Sequence, residues 1–109
     1  MIHVSVIRDK DGFIWQFGIK GHAGYSEYGR DIVCAAVSAV AYTALGALEE
    51  FAGIRNYTER NGLMECSIPA DIPENKKLIV RIILETMVIG LKQIEFKYKD
   101  YMTILDEEV

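Results

Sequence analysis

GHAGYSEYGRDIVCAAVSAVAYTALGALEEFAG, residues 21–53, is the stretch on which the fold turns. Its first ten residues hold Gly21, Gly24 and Gly29 and show no apolar period. They read as an ordered loop, longer than most connections and of a kind that often carries function. From Asp31 the pattern changes. Asp31 reads as an N-cap, whose carboxylate accepts from amides of the first helical turn. Gly53 reads as the left-handed stop, which predicts a helix ending near Ala52. The helix is apolar nearly all round, so it is expected deep in the core. The uncharged run Ile32 to Leu48 is at the lower limit for a membrane span. It is rich in Ala, holds Ser38, Tyr42, Thr43 and Gly46, and has no flanking aromatic anchors. A buried helix of a soluble domain is the reading taken, with no membrane partner expected.

On either side of this stretch the residues alternate. Ile2, Val4 and Val6 mark a half-buried strand, and Asp11-Gly12 closes a turn. Phe13, Trp15, Phe17 and Ile19 then place an aromatic face on a second strand. Past the helix, residues 54–60 and 63–68 flank Asn61-Gly62, a strong hairpin signal. Pro69 and Pro73 bracket a connector. Asp71 and Glu74 have the spacing of a capping box, and Pro73 suits a first helical turn. The second helix is predicted to reach about Lys97, with Ile79, Ile82, Ile83, Met87 and Ile94 as its apolar stripe. A last strand, about 100–105, puts Tyr101, Thr103 and Leu105 on one face. The order ββαββαβ predicts one α+β domain over residues 1–109, a mainly antiparallel sheet covered by two long helices.

The bulk properties narrow the function. Of 109 residues, 50% are apolar and 26% charged, with a net charge of −4. A domain that binds nucleic acid by neutralising phosphates is usually basic, so direct nucleic-acid binding is not expected. A cationic partner suits the charge better. Cys34 and Cys66 are too few for a disulfide framework. Residues 1–12 lack a basic segment leading into an apolar one, so no signal peptide is expected and the location is expected to be cytoplasmic.

Chemistry gathers around Cys34. With Asp31 as N-cap, Cys34 is the third residue of the helix, where free amides and the positive dipole end favour a thiolate. The same amides are candidate donors to an oxyanion. The plain alternative is a small buried hydrophobe beside Ala35 and Ala36. His22, at the mouth of the loop, can approach the sulfur as a Cys–His nucleophile and base require, or can simply be a solvated loop residue. Asp31 either caps the helix or orients His22. Ser38 is one turn beyond Cys34 and either lines the site or bonds back to the Cys34 carbonyl. Gly21, Gly24 and Gly29 allow the loop to close over a peptide, though a plain connector has the same composition. Tyr25 and Tyr28 are candidates to cover aromatic groups of a substrate. His3 and Cys66 read as structural strand residues. Cys34, Cys66, His3 and His22 lack the short ligand spacings of a zinc site, so neither metal nor cofactor is expected.

Gly21-His22-Ala23, followed by Glu27-Tyr28-Gly29-Arg30-Asp31-Ile32-Val33-Cys34-Ala35-Ala36-Val37-Ser38, resembles the signature of the ribosomal-processing cysteine proteases, the Prp family. The likeness extends over the whole chain in length and element order. It implies a His22–Cys34 dyad and a homodimer. It also implies removal of the N-terminal extension of large-subunit ribosomal protein twenty-seven, cut after a pair of aromatic residues. Two other classes fit the residues alone: a non-enzymatic, ribosome-associated or peptide-binding dimer using the loop at 21–30, and a thiol hydrolase of small acyl substrates.

Overall fold

The computed structural model describes residues 1–27 and 30–108. Five strands and two helices follow one another as β1 (Ile2–Arg8), β2 (Ile14–Lys20), α1 (Ile32–Ala52), β3 (Tyr57–Arg60), β4 (Leu63–Ser67), α2 (Glu74–Lys97) and β5 (Met102–Glu108). The ββαββαβ order and the α+β class are those expected. The sheet runs β3-β4-β2-β1-β5. β1–β2, β2–β4 and β3–β4 are antiparallel, and β5 alone is parallel, to β1. Ile2, Val4 and Val6 point into the core with Phe17, Met64, Cys66 and Met102. Both helices pack against that face, as α1 buries Val33, Val37, Ala41, Leu45 and Leu48 and α2 buries Val80, Leu84, Met87 and Leu91.

Several local expectations are corrected. The β1–β2 register shifts between Ile7 and Arg8, so that Arg8 pairs with Ile14 while Ile7 pairs with Gln16. The extra residue resets the alternation, sending Ile14 and Phe17 inward and leaving Trp15 at the surface. The single aromatic face is therefore split. α1 is not enclosed: its outer side exposes Ala35, Ser38, Ala39, Tyr42 and Thr43. A single sheet covers only one side of a helix, and small residues suffice on the other. α2 is rotated from its predicted face, with Ile82 exposed and Val80, Leu84 and Leu91 inward. The capping box does not form. Pro73 is the N-cap, and Glu74, now the first helical residue, pairs with Lys77 at 2.9 Å. β5 is longer than predicted and directs Met102 inward, with Thr103 and Leu105 exposed.

Arg8 ties this scaffold together at the end remote from the loop. Its guanidinium donates to Glu85 on α2 and to Asp106 on β5. The hydrogen bonds from Arg8 hold the Asp106 carboxyl below its ordinary range, outweighing the desolvation that works against its charge.

Candidate active site

The end of β2, the start of α1 and the β3–β4 turn converge on one cleft. Gly21 leaves β2 with φ +94°, and its N–H donates to the Gly62 carbonyl at 2.8 Å. A Cβ there would lie 2.6 Å from the Met1 carbonyl oxygen, so only glycine fits. This clip fixes where His22 begins. The His22 ring lies over Gly62, where an added Cβ would come within 3.4 Å of Nε2. Ala23 drops its methyl into the core, and its N–H donates to Cys34 Sγ at 3.2 Å. Gly24 turns the chain out again with φ +71°.

Asp31 organises the other side. One carboxylate oxygen accepts from the Val33 and Cys34 amides at 3.0 Å each. The other accepts from Tyr25 at 3.0 Å and Ser26 at 3.4 Å. One side chain therefore caps α1 and fastens the loop. Desolvation opposes its charge, but the amides of Cys34, Tyr25, Ser26 and Val33 together hold its carboxyl below the usual value. With both oxygens committed to backbone amides, Asp31 is placed as the cap rather than as a partner of His22. The same geometry corrects the expected oxyanion donors. The Val33 and Cys34 amides are taken by Asp31, and the Ala35 N–H donates to the Asp31 carbonyl at 3.0 Å.

The cleft has a volume of about 670 Å³ and brings Gly21, His22, Cys34 and Ser38 together. Ile2, Ile19, Val37 and Met64 contribute its apolar lining and Tyr42 extends its α1 side, while Glu59, Arg60, Asn61 and Leu63 form its opposite wall. Sequence reasoning missed that wall because it comes from a hairpin far along the chain. Its only local signal was Asn61-Gly62, read for its turn and not for what the turn faces. From α1 the Tyr42 hydroxyl donates across to the Glu59 carboxylate of that wall, a contact that pushes the Tyr42 phenol up from its ordinary value.

Tyr25 stands elsewhere. Its ring packs edge-on against Tyr98 and Tyr101, with centroids 5.6 and 5.0 Å away, and is not in the cleft lining. The expected role of covering substrate aromatics is replaced here by one of anchoring the loop to the α2–β5 corner. Tyr28 and Gly29 lie outside the described residues. Cys66 is buried between β2 and β3, opposite Phe17 and Tyr57, and burial pushes its thiol up to about 11. Such a thiol is a poor nucleophile at neutral pH.

A half-buried cysteine at a helix start, a histidine lining the same cleft and an α+β scaffold fit a thiol-peptidase class of site. The comparisons with known proteins agree. The family model described as cysteine protease Prp matches residues 1–103, and the chain belongs to the Prp family of cysteine peptidases. The ribosomal processing cysteine protease Prp of Bacillus subtilis is 31% identical over 107 residues, covering 95% of this chain and 96% of that protein. That of Staphylococcus aureus is 32% identical over 104 residues, covering 92% and 93%. The S. aureus Prp structure with a covalently linked product peptide superposes with TM-score 0.85 at 28% identity, covering 98% of this chain and 100% of that one. A second S. aureus structure, with a substrate peptide, gives TM-score 0.81 at 25% identity, over 98% and 100%.

Proposed function

We propose that this chain is an endopeptidase that removes the N-terminal extension of large-subunit ribosomal protein twenty-seven, with Cys34 as nucleophile and His22 as general base. The observation that carries the reading is the shared cleft: Cys34 at the first turn of α1 and His22 on the Gly21 clip, in a chain of the Prp family. His22 takes the thiol proton as Sγ attacks the scissile carbonyl, then returns it to the departing amine. The carbon–nitrogen bond breaks, the acyl fragment stays on sulfur, and water releases it.

The resemblance implies the substrate, and the cleft and the charge support it. The apolar lining suits aromatic or aliphatic side chains before the cut. Glu59 on the facing wall and a net charge of −4 suit a cationic segment. The S. aureus protein's capture with substrate and product peptides supports a peptide in the same cleft here. We further assign a cytoplasmic location and a homodimer. The dimer reading is supported by Leu78, Ile82, Ile89 and Phe96, large apolar side chains left exposed along α2.

The test is incubation with the host's own precursor of that ribosomal protein, followed by intact-mass measurement. Loss of an N-terminal fragment ending in an aromatic pair is expected with the native chain and not with Cys34→Ser. A precursor left whole by the native protein, or cut equally by the variant, would contradict the assignment. Sedimentation of Ile82→Glu/Ile89→Glu should show a monomer where the native chain shows a dimer.

A further inference from the structure

The cleft holds a sulfur and a base, yet the amides expected to receive a developing oxyanion are already engaged by Asp31. One backbone N–H faces the reacting atom from the other side. The Ala23 amide lies 3.2 Å from Cys34 Sγ, and two features fix it there. The Ala23 methyl is buried at 5% exposure, and Gly21 before it is clipped to Gly62. A donor held this way is preorganised, which is what electrostatic stabilisation of a transition state requires.

We propose that the Ala23 backbone N–H is the oxyanion donor of this peptidase, so that the loop supplies base and oxyanion site together. The inference rests on the function proposed above and adds a catalytic group to it. When Sγ attacks, a carbon–sulfur bond forms and the carbonyl π pair moves onto oxygen. Negative charge passes from sulfur to an oxygen bonded to the carbon under attack. The reacting atoms approach to roughly 3–3.5 Å. An N–H already aimed at the sulfur therefore needs only a small tilt to reach that oxygen. Collapse returns the pair to the carbonyl, breaks the carbon–nitrogen bond and leaves the amine to take its proton from His22. The amide then faces sulfur again. Spacing along the chain becomes intelligible: His22 and Ala23 are adjacent because the base and the donor act on opposite charges of one step.

The test removes one hydrogen-bond donor and nothing else. Native ligation at Cys34 joins a synthetic 1–33 segment to a 34–109 segment, giving the full chain with an ester at position 23 (Ala23→lactic acid). A matched chain carries the ester at Gly24 instead (Gly24→glycolic acid), and a third is all amide. The Ala23 ester is expected to lower kcat by about 10²–10³-fold, with KM changed less than about threefold. Iodoacetamide alkylation of Cys34, which develops no oxyanion, should proceed within about twofold of the all-amide rate, showing a folded site and an intact nucleophile. The Gly24 ester should match the all-amide chain in both assays. Unchanged kcat in the Ala23 ester overturns the assignment while leaving the peptidase reading intact. So does a parallel fall in alkylation, which would place the amide's effect on the sulfur, or an equal loss in the Gly24 ester. An all-amide chain that cuts nothing would overturn both readings.

Discussion

Cys34 and Cys66 are the same atom type in two regions built on opposite terms. Cys66 sits mid-strand in β4, walled by Phe17 and Tyr57, and burial raises its thiol to about 11. Cys34 sits at a helix end, partly accessible in a cleft, with a loop amide on its sulfur and a histidine lining the same cleft. The difference teaches that the interior of the sheet makes a cysteine inert, whereas the seam between loop, helix and hairpin leaves one usable. Two features build that seam. The Gly21 clip ends β2 on the β3–β4 turn, and Asp31 binds loop and helix amides through one carboxylate.

Exchanging the two sulfurs for oxygen gives the largest contrast. Cys34→Ser should lose about 10⁴-fold or more in turnover, the scale seen when a nucleophile is removed. Cys66→Ser should retain turnover and instead lose stability, because a hydroxyl at that buried site has no partner. Steady-state kinetics beside thermal melts decides it. Equal loss of turnover in a folded Cys66→Ser protein would break the comparison.

His22→Ala should lower kcat by about 10²–10⁴-fold, the range of a general base. The pH–rate profile should lose the limb contributed by that base. An unchanged profile would take histidine out of the step.

Asp31 separates cap from clip. Asp31→Asn keeps an oxygen for the helix amides but offers an NH₂ where Tyr25 and Ser26 need an acceptor. It should melt close to the native protein while losing about tenfold in kcat, since misplacement of a positioned group is costly. Asp31→Ala should lose the cap as well, about 1 kcal/mol by denaturant titration. The acid response follows in sign. Because the folded Asp31 carboxyl is held below its ordinary value of 3.8, its contribution to stability is present above that value. It disappears as pH falls through the lower folded value, and Asp31→Asn should flatten this part of the acid-unfolding curve.

Glu59→Gln is the smallest expected change. Its carboxylate is open to solvent at the wall, so kcat/KM for a lysine-bearing peptide should fall only a few-fold, and less at high salt. Peptides with the lysine replaced by alanine should not distinguish the variant from native.

The element order and the α1 caps were legible in the sequence, because Asp31, Gly53 and Asn61-Gly62 act through local chemistry. The pairing of His22 with Cys34 was implied by the resemblance to the Prp family, and both residues line one cleft. Three things were not legible. The β1–β2 bulge shifted Trp15 outward, and a one-residue register change leaves no trace in an alternating pattern. The α2 face was misjudged because Leu78, Ile82 and Ile89 are apolar on the exposed side, blurring the period. The opposite wall of the cleft depends on contacts between segments that only the fold brings together. Tyr25 shows the same limit: a loop tyrosine suggests a substrate cover, and the tertiary structure supplies Tyr98 and Tyr101 as its partners.

The central claim is that catalysis runs covalently through Cys34 while Cys66 stays inert. Acid-quenching the folded protein during turnover of a peptide ester bearing an aromatic pair, then mapping the adduct by mass, tests it most directly. The account predicts one acyl fragment on the peptide containing Cys34, none on that containing Cys66, and no adduct in Cys34→Ser. An acyl group on Cys66, or full turnover with Cys34 never modified, would contradict it.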